Sequence, residues 1–280
     1  MKLAELISRA GEQEAVVQIL SYLLSIDRTT IFLLRDVDDE IAKQALSYVE
    51  KYKKGMPLAY LLGYCYFYNR KFFVNKDVLI PRFDTEVLVE LAEKKIIADS
   101  VVYKEHNPYR ILDLCCGSGA IGISLAYLGD WLTARNQQEK YEVTLADVSH
   151  KALLVAEVNA KAHDVTVNFV QSDLLENIIG CFDLIVCNPP YIRTREIGVE
   201  DKRILKEPKL ALDGGLDGLY YYRRILSTIK KNLYRGATLM FEVGFDQAAD
   251  VKSIAESNGF KNVKIYKDLA NHDRVVTMRM

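Results

Sequence analysis

The chain reads as an α/β protein: a mostly parallel, doubly wound sheet preceded by a small helical segment. Three observations lead there. From about residue 84, β-prone apolar runs alternate with helix-length stretches. Before that, apolar residues recur every three or four positions. At the far end, two β-prone runs follow one another without a helix between them, so at least one must enter antiparallel.

The elements follow in order. Leu3, Leu6, Ile7 and Ala10, then Val16, Ile19, Leu20, Leu23 and Leu24, mark short amphipathic helices. A further helix (Ile41, Ala45, Leu46, Val49, Tyr52) starts after the cap candidates Asp38 and Asp39 and stops at Gly55 and Pro57. Together they make a bundle whose core is marginal alone and leans on its neighbour. The period then shortens. Tyr64 to Tyr68, Phe72-Phe73-Val74 and Val78-Leu79-Ile80 are short β-prone runs separated by polar turns, a hairpin-like connector ended by Pro81. Tyr64, Tyr66 and Tyr68 are expected on one face, as ordinary strand packing or as a contact surface.

The alternation proper has a helix at Val87, Leu88, Leu91 and Ala92, then strand Arg110–Leu114, helix Ala120–Leu128, strand Glu142–Ala146 and helix Lys151–Ala162. Strands Thr166–Val170 and Phe182–Cys187, helix Tyr220–Leu233, strand Thr238–Val243 and helix Gln247–Asn258 continue it, and the runs Val263–Tyr266 and Arg274–Met278 close it.

Composition narrows the function. Half of the 280 residues are hydrophobic and 27% charged, as in soluble globular proteins. Lys+Arg at 37 against Asp+Glu at 38 provides no general phosphate-neutralising surface. The five cysteines form no CxxC pair and the four histidines no HExxH pair, so neither a disulfide framework nor a metal site is expected. No apolar run approaches the ~18 residues that span a bilayer, and the amino terminus has no apolar leader core, so a reduced, cytoplasmic location is expected.

Chemistry concentrates at strand ends. In Asp113-Leu114-Cys115-Cys116-Gly117-Ser118-Gly119-Ala120-Ile121-Gly122 a strand feeds a small-residue turn that opens directly into a helix. Its glycines let backbone approach a ligand, and the helix start presents free N–H groups. Gly117, Gly119 and Gly122 also match GxGxxG, a weak fingerprint alone. Asp147 ends the next strand, where an acid accepts hydrogen bonds from ribose hydroxyls or caps the following helix. Asp173, after the third strand, holds an adenine amino group or caps a turn.

The run Phe182–Cys187 breaks abruptly into Asn188-Pro189-Pro190-Tyr191, because two prolines cannot continue a central ladder. The stiff turn presents the Asn188 side-chain oxygen and the Pro189 carbonyl as fixed acceptors beside an aromatic ring. That arrangement suits a planar NH2 group, whose delocalised lone pair makes it a poor nucleophile. Held by two acceptors, its nitrogen can pyramidalise toward an electrophilic methyl, through positioning and fixed dipoles instead of a strong base.

At these residues the chain resembles the PrmC/HemK family, the S-adenosylmethionine-dependent protein-(glutamine-N5) methyltransferases that modify peptide chain release factors. The resemblance runs through Leu79-Ile80-Pro81-Arg82 with Thr85-Glu86, the glycine turn, and Asn188-Pro189-Pro190-Tyr191. It continues through Glu207-Pro208, Ala211-Leu212-Asp213-Gly214-Gly215, Asp217-Gly218-Leu219, and Lys267-Asp268-Leu269-Ala270 with Asp273-Arg274. It implies a helical release-factor-binding domain at 1–58, a hairpin linker at 59–83 and, at 84–280, a Rossmann-like class I methyltransferase domain with seven strands, one antiparallel. It also implies that Cys115, Cys116, Gly117, Ser118, Gly119, Asp147, Asp173, Leu174 and Asn188 form the S-adenosylmethionine site. Asn188, Pro189, Pro190 and Tyr191 would hold the glutamine of the Gly-Gly-Gln motif of class 1 release factors, with Asn188 catalytic. The implied partner is thus a protein, with no direct nucleic acid, membrane or metal. The chain departs from the family pattern at Phe83 and Asp84, and at Cys115 and Cys116 in place of glycine and threonine; Cys115 calls for an unusual backbone angle or a slightly shifted cofactor. Rival readings are an amino-methyltransferase of nucleic acids, a nicotinamide dehydrogenase and a non-catalytic module of the same fold.

Overall fold

A computed structural model describes residues 1–100, 108–135, 140–199 and 201–280. Helices α1 (Leu3–Ala10), α2 (Gln13–Leu24) and α4 (Asp39–Lys53) pack around buried Leu6, Val16, Ile19, Leu20 and Ala45. The spacing of those residues puts them on facing stripes. The Asp38 carboxylate accepts the Glu40 and Ile41 N–H groups at 2.9 and 3.3 Å and starts α4. Two short helices are additions to the sequence reading: α3 (Arg28–Ile31), capped by Asp27, and α5 (Leu58–Leu62).

The connector is one hairpin, β1 (Tyr64–Phe67) and β2 (Arg70–Phe73). Its turn is Tyr68-Asn69, both left-handed at φ 48° and 59°, the pattern of a tight type I′ connection. Tyr68 therefore leaves the face expected for it, and its hydroxyl donates to Glu93 at 2.7 Å. Tyr64 and Tyr66 stay together, edge to face with centroids 5.8 Å apart. Val78-Leu79-Ile80 forms no strand: it has no neighbouring strand to pair with, and its β-prone residues pack instead from a turn and extended segment.

The large sheet has order β5-β4-β3-β6-β7-β9-β8. Its strands are β3 (Tyr109–Leu114), β4 (Tyr141–Asp147), β5 (Asn168–Gln171), β6 (Phe182–Cys187), β7 (Leu233–Glu242), β8 (Lys261–Lys267) and β9 (Asp273–Arg279). Only β9 runs against the rest, inserted between β7 and β8 as a hairpin return from β8. This is the seven-stranded sheet with one antiparallel strand that was expected. Helices α6 (Glu86–Ser100), α7 (Ala120–Arg135) and α8 (His150–Ala162) cover one face. On the other lie α9 (Tyr220–Thr228) and α10 (Ala248–Ser257). Side chains alternate accordingly: Ile111, Leu184 and Val186 face the first layer, and Leu112, Ile185 and Cys187 the second. The helix predicted to Leu233 ends earlier, because Ile229–Asn232 tightens into a 3-10 turn whose Asn232 amide caps the Ile178 and Gly180 carbonyls.

The hairpin is tied to the sheet through one buried side chain. Asn159 of α8 accepts the Phe73 N–H at 2.7 Å and donates to the Phe73 and Ser118 carbonyls at 3.0 and 2.9 Å. The connector and the glycine turn thus share a fixed point.

Candidate active site

Register brings three strand ends to one edge. Leu114 of β3 pairs with both Ala146 of β4 and Cys187 of β6. Cys115, Asp147 and Asn188 therefore meet where the sheet order reverses between β3 and β6, a switch point that opens a crevice. A cavity of about 250 Å³ lies there, lined by Cys115, Gly117, Asp147, Asp173, Leu174, Asn188 and Pro190 among others. Of the other expected site residues, Cys116, Ser118, Gly119, Pro189 and Tyr191 are not in its lining, and Cys116, Ser118 and Pro189 are buried.

The glycine turn is wound left-handed at Cys115, Gly117 and Gly119, with φ of 63°, 54° and 79°. The unusual angle expected at Cys115 is present, at a cost of about 1–2 kcal/mol for a residue with a Cβ. Its side chain packs against the cluster that holds the buried Cys187, and burial first, with the neighbouring Cys115 thiol second, raises the proton affinity of Cys187. Gly119 and Gly122 serve packing: a Cβ on Gly122 would stand 2.1 Å from Leu145 Cδ2. The Gly122 N–H donates to Asp113 Oδ2 at 2.8 Å, while Asp113 Oδ1 is buried without a hydrogen-bond partner. Burial pushes the Asp113 carboxyl up to about 7, against the pull of the Gly122 N–H.

Asp147 organises the turn. Its Oδ2 accepts the Gly117 N–H and its Oδ1 the Ser149 N–H, both at 2.9 Å. Capping of α8 falls to Ser149, whose Oγ accepts the Ala152 N–H at 3.2 Å. Burial raises the Asp147 pKa, and the N–H groups of Ser149, Gly117 and Val148 oppose that rise. Asp173 is held bidentately by Arg224, at 3.1 and 3.0 Å, and Arg224 also lies over the Tyr220 ring. Leu174, at φ 52°, turns the chain back along the cavity wall.

The Asn188 amide Nδ2 donates to Thr85 Oγ1 at 3.3 Å. The Tyr191 hydroxyl donates to Glu242 Oε1 at 3.2 Å, which anchors the ring under the end of β7. Glu242 is buried, and burial pushes its carboxyl up to about 7 against the Thr85 hydroxyl, the Arg274 guanidinium and the Tyr191 hydroxyl. Opposite, Glu207 accepts the Ile80 N–H at 3.0 Å and pairs with Arg82, joining the connector to the segment whose Pro208, Leu210 and Ala211 form the far wall.

Glu242, Tyr220, Tyr221 and Arg224 were not among the expected site residues. For Glu242 a signal existed, a lone acid closing the apolar run Leu239-Met240-Phe241; the others sit on a helix whose facing only the fold decides. Among the described residues no group of three His, Cys, Asp or Glu is placed to hold a metal ion, and no helix is long and apolar enough to cross a membrane.

The Methyltransferase small domain family matches residues 94–215, and the PrmC N-terminal domain family matches residues 3–63. The release factor glutamine methyltransferase of Clostridium acetobutylicum is 39% identical over 92% of this chain and 88% of its own length. That of Bacillus subtilis is 34% identical over 96% and 92%. The chain belongs to the release factor glutamine methyltransferase family. A Thermus thermophilus 16S rRNA N2 G1207 methyltransferase, solved with AdoMet and guanosine, superposes with TM-score 0.51 at 14% identity over 77% of this chain and 49% of its own. That likeness concerns the fold alone, which this family member shares with methyltransferases of other substrates.

Proposed function

We propose that this chain transfers a methyl group from S-adenosylmethionine to the side-chain N5 of the glutamine in the Gly-Gly-Gln motif of class 1 peptide chain release factors, in the cytoplasm. The observation that carries the reading is the meeting of Asn188 and Pro190 with the glycine turn and Asp147 around one cavity.

The residues present fit a nucleoside-bearing sulfonium. A carboxylate has about four lone-pair positions, and Asp147 uses two of them on Gly117 and Ser149, which leaves acceptors for a ribose diol. Leu174 supplies an aliphatic surface for an adenine, and Tyr220 and Tyr221 complete that wall. Cys115 to Gly119 provide the close backbone approach. Bound there, the cofactor supplies an electrophilic methyl.

The chain's own part is to hold the amide. Asn188 Oδ1 and the Pro189 carbonyl accept the two N–H groups of the glutamine, Pro189 and Pro190 stiffen the backbone that carries these acceptors, and Tyr191 flanks the planar group and excludes water. No strong base is called for, since the amide proton is lost only after the nitrogen has become cationic. The helices of residues 1–58 contact the release factor outside the motif. The test is incubation with labelled S-adenosylmethionine and purified release factor, with the label located by peptide mass spectrometry. Label on the motif glutamine supports the reading; label on adenine in added nucleic acid, or none, overturns it.

A further inference from the structure

We infer that Glu207 is a positioning residue whose buried carboxylate clasps together the two irregular walls of the cofactor cavity, and that the helical domain, which braces both walls from outside, is thereby part of the cofactor site. This rests on the cofactor reading proposed above.

One side of the cavity is regular: the ends of β3, β4 and β6, kept in place by strand pairing. The opposite side is built from two segments outside any strand. Asp77, Val78 and Leu79 come from the connector, and Pro208, Leu210 and Ala211 from the 3-10 turns Lys202–Lys206 and Lys209–Ala211. Such backbone keeps its place only through what its side chains and free N–H groups reach. Among the described residues, the hydrogen bonds of Asp201 to Ala211 stay within the segment and its exit at Leu212 and Asp213, except those of Glu207.

Glu207 is buried and uses both carboxylate oxygens across the gap. Its Oε2 accepts the Ile80 N–H at 3.0 Å, and its Oε1 pairs with the Arg82 guanidinium. Ile80 follows Leu79 and Glu207 precedes Pro208, so the clasp sits one residue from each wall. A buried charge parted from its partners is strongly disfavoured, and the separation of the walls is fixed accordingly.

The helical domain holds the same two segments. Tyr60 of α5 donates its hydroxyl to the Val78 carbonyl at 2.5 Å, and Ala59 and Tyr60 pack against the cluster that contains Val78. Tyr52 of α4 lies against the Arg203 guanidinium, 4.4 Å from the ring centroid. Between these braces lies a crevice of about 580 Å³ with Arg82 and Glu207 in its lining. Neither tyrosine lines the cofactor cavity, nor does Glu207, so their influence on a bound cofactor passes through the walls.

The test is calorimetric titration of the whole protein with S-adenosylmethionine and with S-adenosylhomocysteine. Glu207→Ala leaves the Ile80 N–H and Arg82 unpaired and should weaken binding about 10-fold, as when the closed arrangement falls to about a tenth of the population. Glu207→Gln, which keeps an oxygen for Ile80 but no charge for Arg82, should fall between. Tyr60→Phe should weaken binding about 5-fold, the worth of one net hydrogen bond, and carries the test if Glu207→Ala does not fold. In methylation of release factor, Glu207→Gln should raise KM for the cofactor and leave kcat in place, because Asn188 has its own supports in Thr85 and β6. A general loosening of the fold would lower kcat as well. Wild-type affinity in folded Glu207→Ala or Tyr60→Phe overturns the inference, as does a kcat that falls at unchanged KM. A wild type that binds cofactor but leaves release factor unmodified counts against the proposed substrate alone; one that binds no cofactor overturns both.

Discussion

Asp147→Ala is the sharpest probe of the cofactor side of the cavity. The carboxylate is fixed by two backbone N–H groups at 2.9 Å, one in the glycine turn and one at the start of α8. Being held on both sides, it loses little entropy on receiving a ligand, and its remaining lone pairs belong to a half-buried charge in the cavity wall. A charge-assisted hydrogen bond of this kind contributes about 1.5–3 kcal/mol. Its removal should therefore weaken S-adenosylmethionine binding about 10- to 150-fold. The variant also frees the Gly117 N–H, so the turn loosens and the effect belongs to the upper part of that range. Asp147→Asn separates the contributions: its single oxygen can satisfy only one of the two N–H groups, and it carries no charge toward the ligand. It should fall between wild type and alanine. Calorimetric titration with the cofactor, alongside circular dichroism to establish folding, is the assay. A folded Asp147→Ala protein that binds as tightly as wild type would refute the assignment.

Asn188→Ala should lower single-turnover methylation about 10²–10³-fold, as when one preorganised polar contact is removed, with a smaller change in cofactor affinity from titration. Gly122→Ala should lose about 1–3 kcal/mol of stability in urea melts, since its Cβ would collide with Leu145 and crowd Asp113, whose Cβ would lie 3.0 Å away. The methylation rate should rise with pH through about 7 as the Glu242 carboxyl, held up by burial and accepting the Tyr191 hydroxyl that anchors the ring, becomes charged; a pH–rate profile of Glu242→Gln should lack that step. Stability runs the other way: a carboxyl raised to about 7 binds its proton more readily in the folded state, so its contribution falls from about pH 4.5 to about 7 and is level above.

Much of this was legible in the sequence because the signals were local. The helix spacing around Leu6, Val16 and Ile19, the strand that ends in two prolines, and the uninterrupted run Val275-Val276 each specify an element without reference to the rest. What escaped was set by pairing across the fold. Val78-Leu79-Ile80 has strand-forming residues and no strand to join. Asp173 was read from its place after β5, but its partner Arg224 lies 51 residues away on α9. Thr85 stood within a recognised segment, yet nothing local says that it touches Asn188, 103 residues on.

Cys115 shows how a departure from a family pattern is absorbed. A left-handed angle of 63° is costly for any residue with a Cβ, and glycine avoids that cost. Here the side chain has somewhere to go. It packs against the cluster under α9, to which the buried Cys187 at the end of β6 also belongs. Burial of a small sulfur group regains part of the backbone strain. That packing lies where the end of β3 runs beside the residue before Asn188, Leu114 being paired with Cys187. The cysteine therefore adds side-chain packing beside the seam along which the cavity's two halves, the glycine turn and the Asn188 corner, must keep register. A glycine would relax the turn and leave that seam to backbone pairing alone.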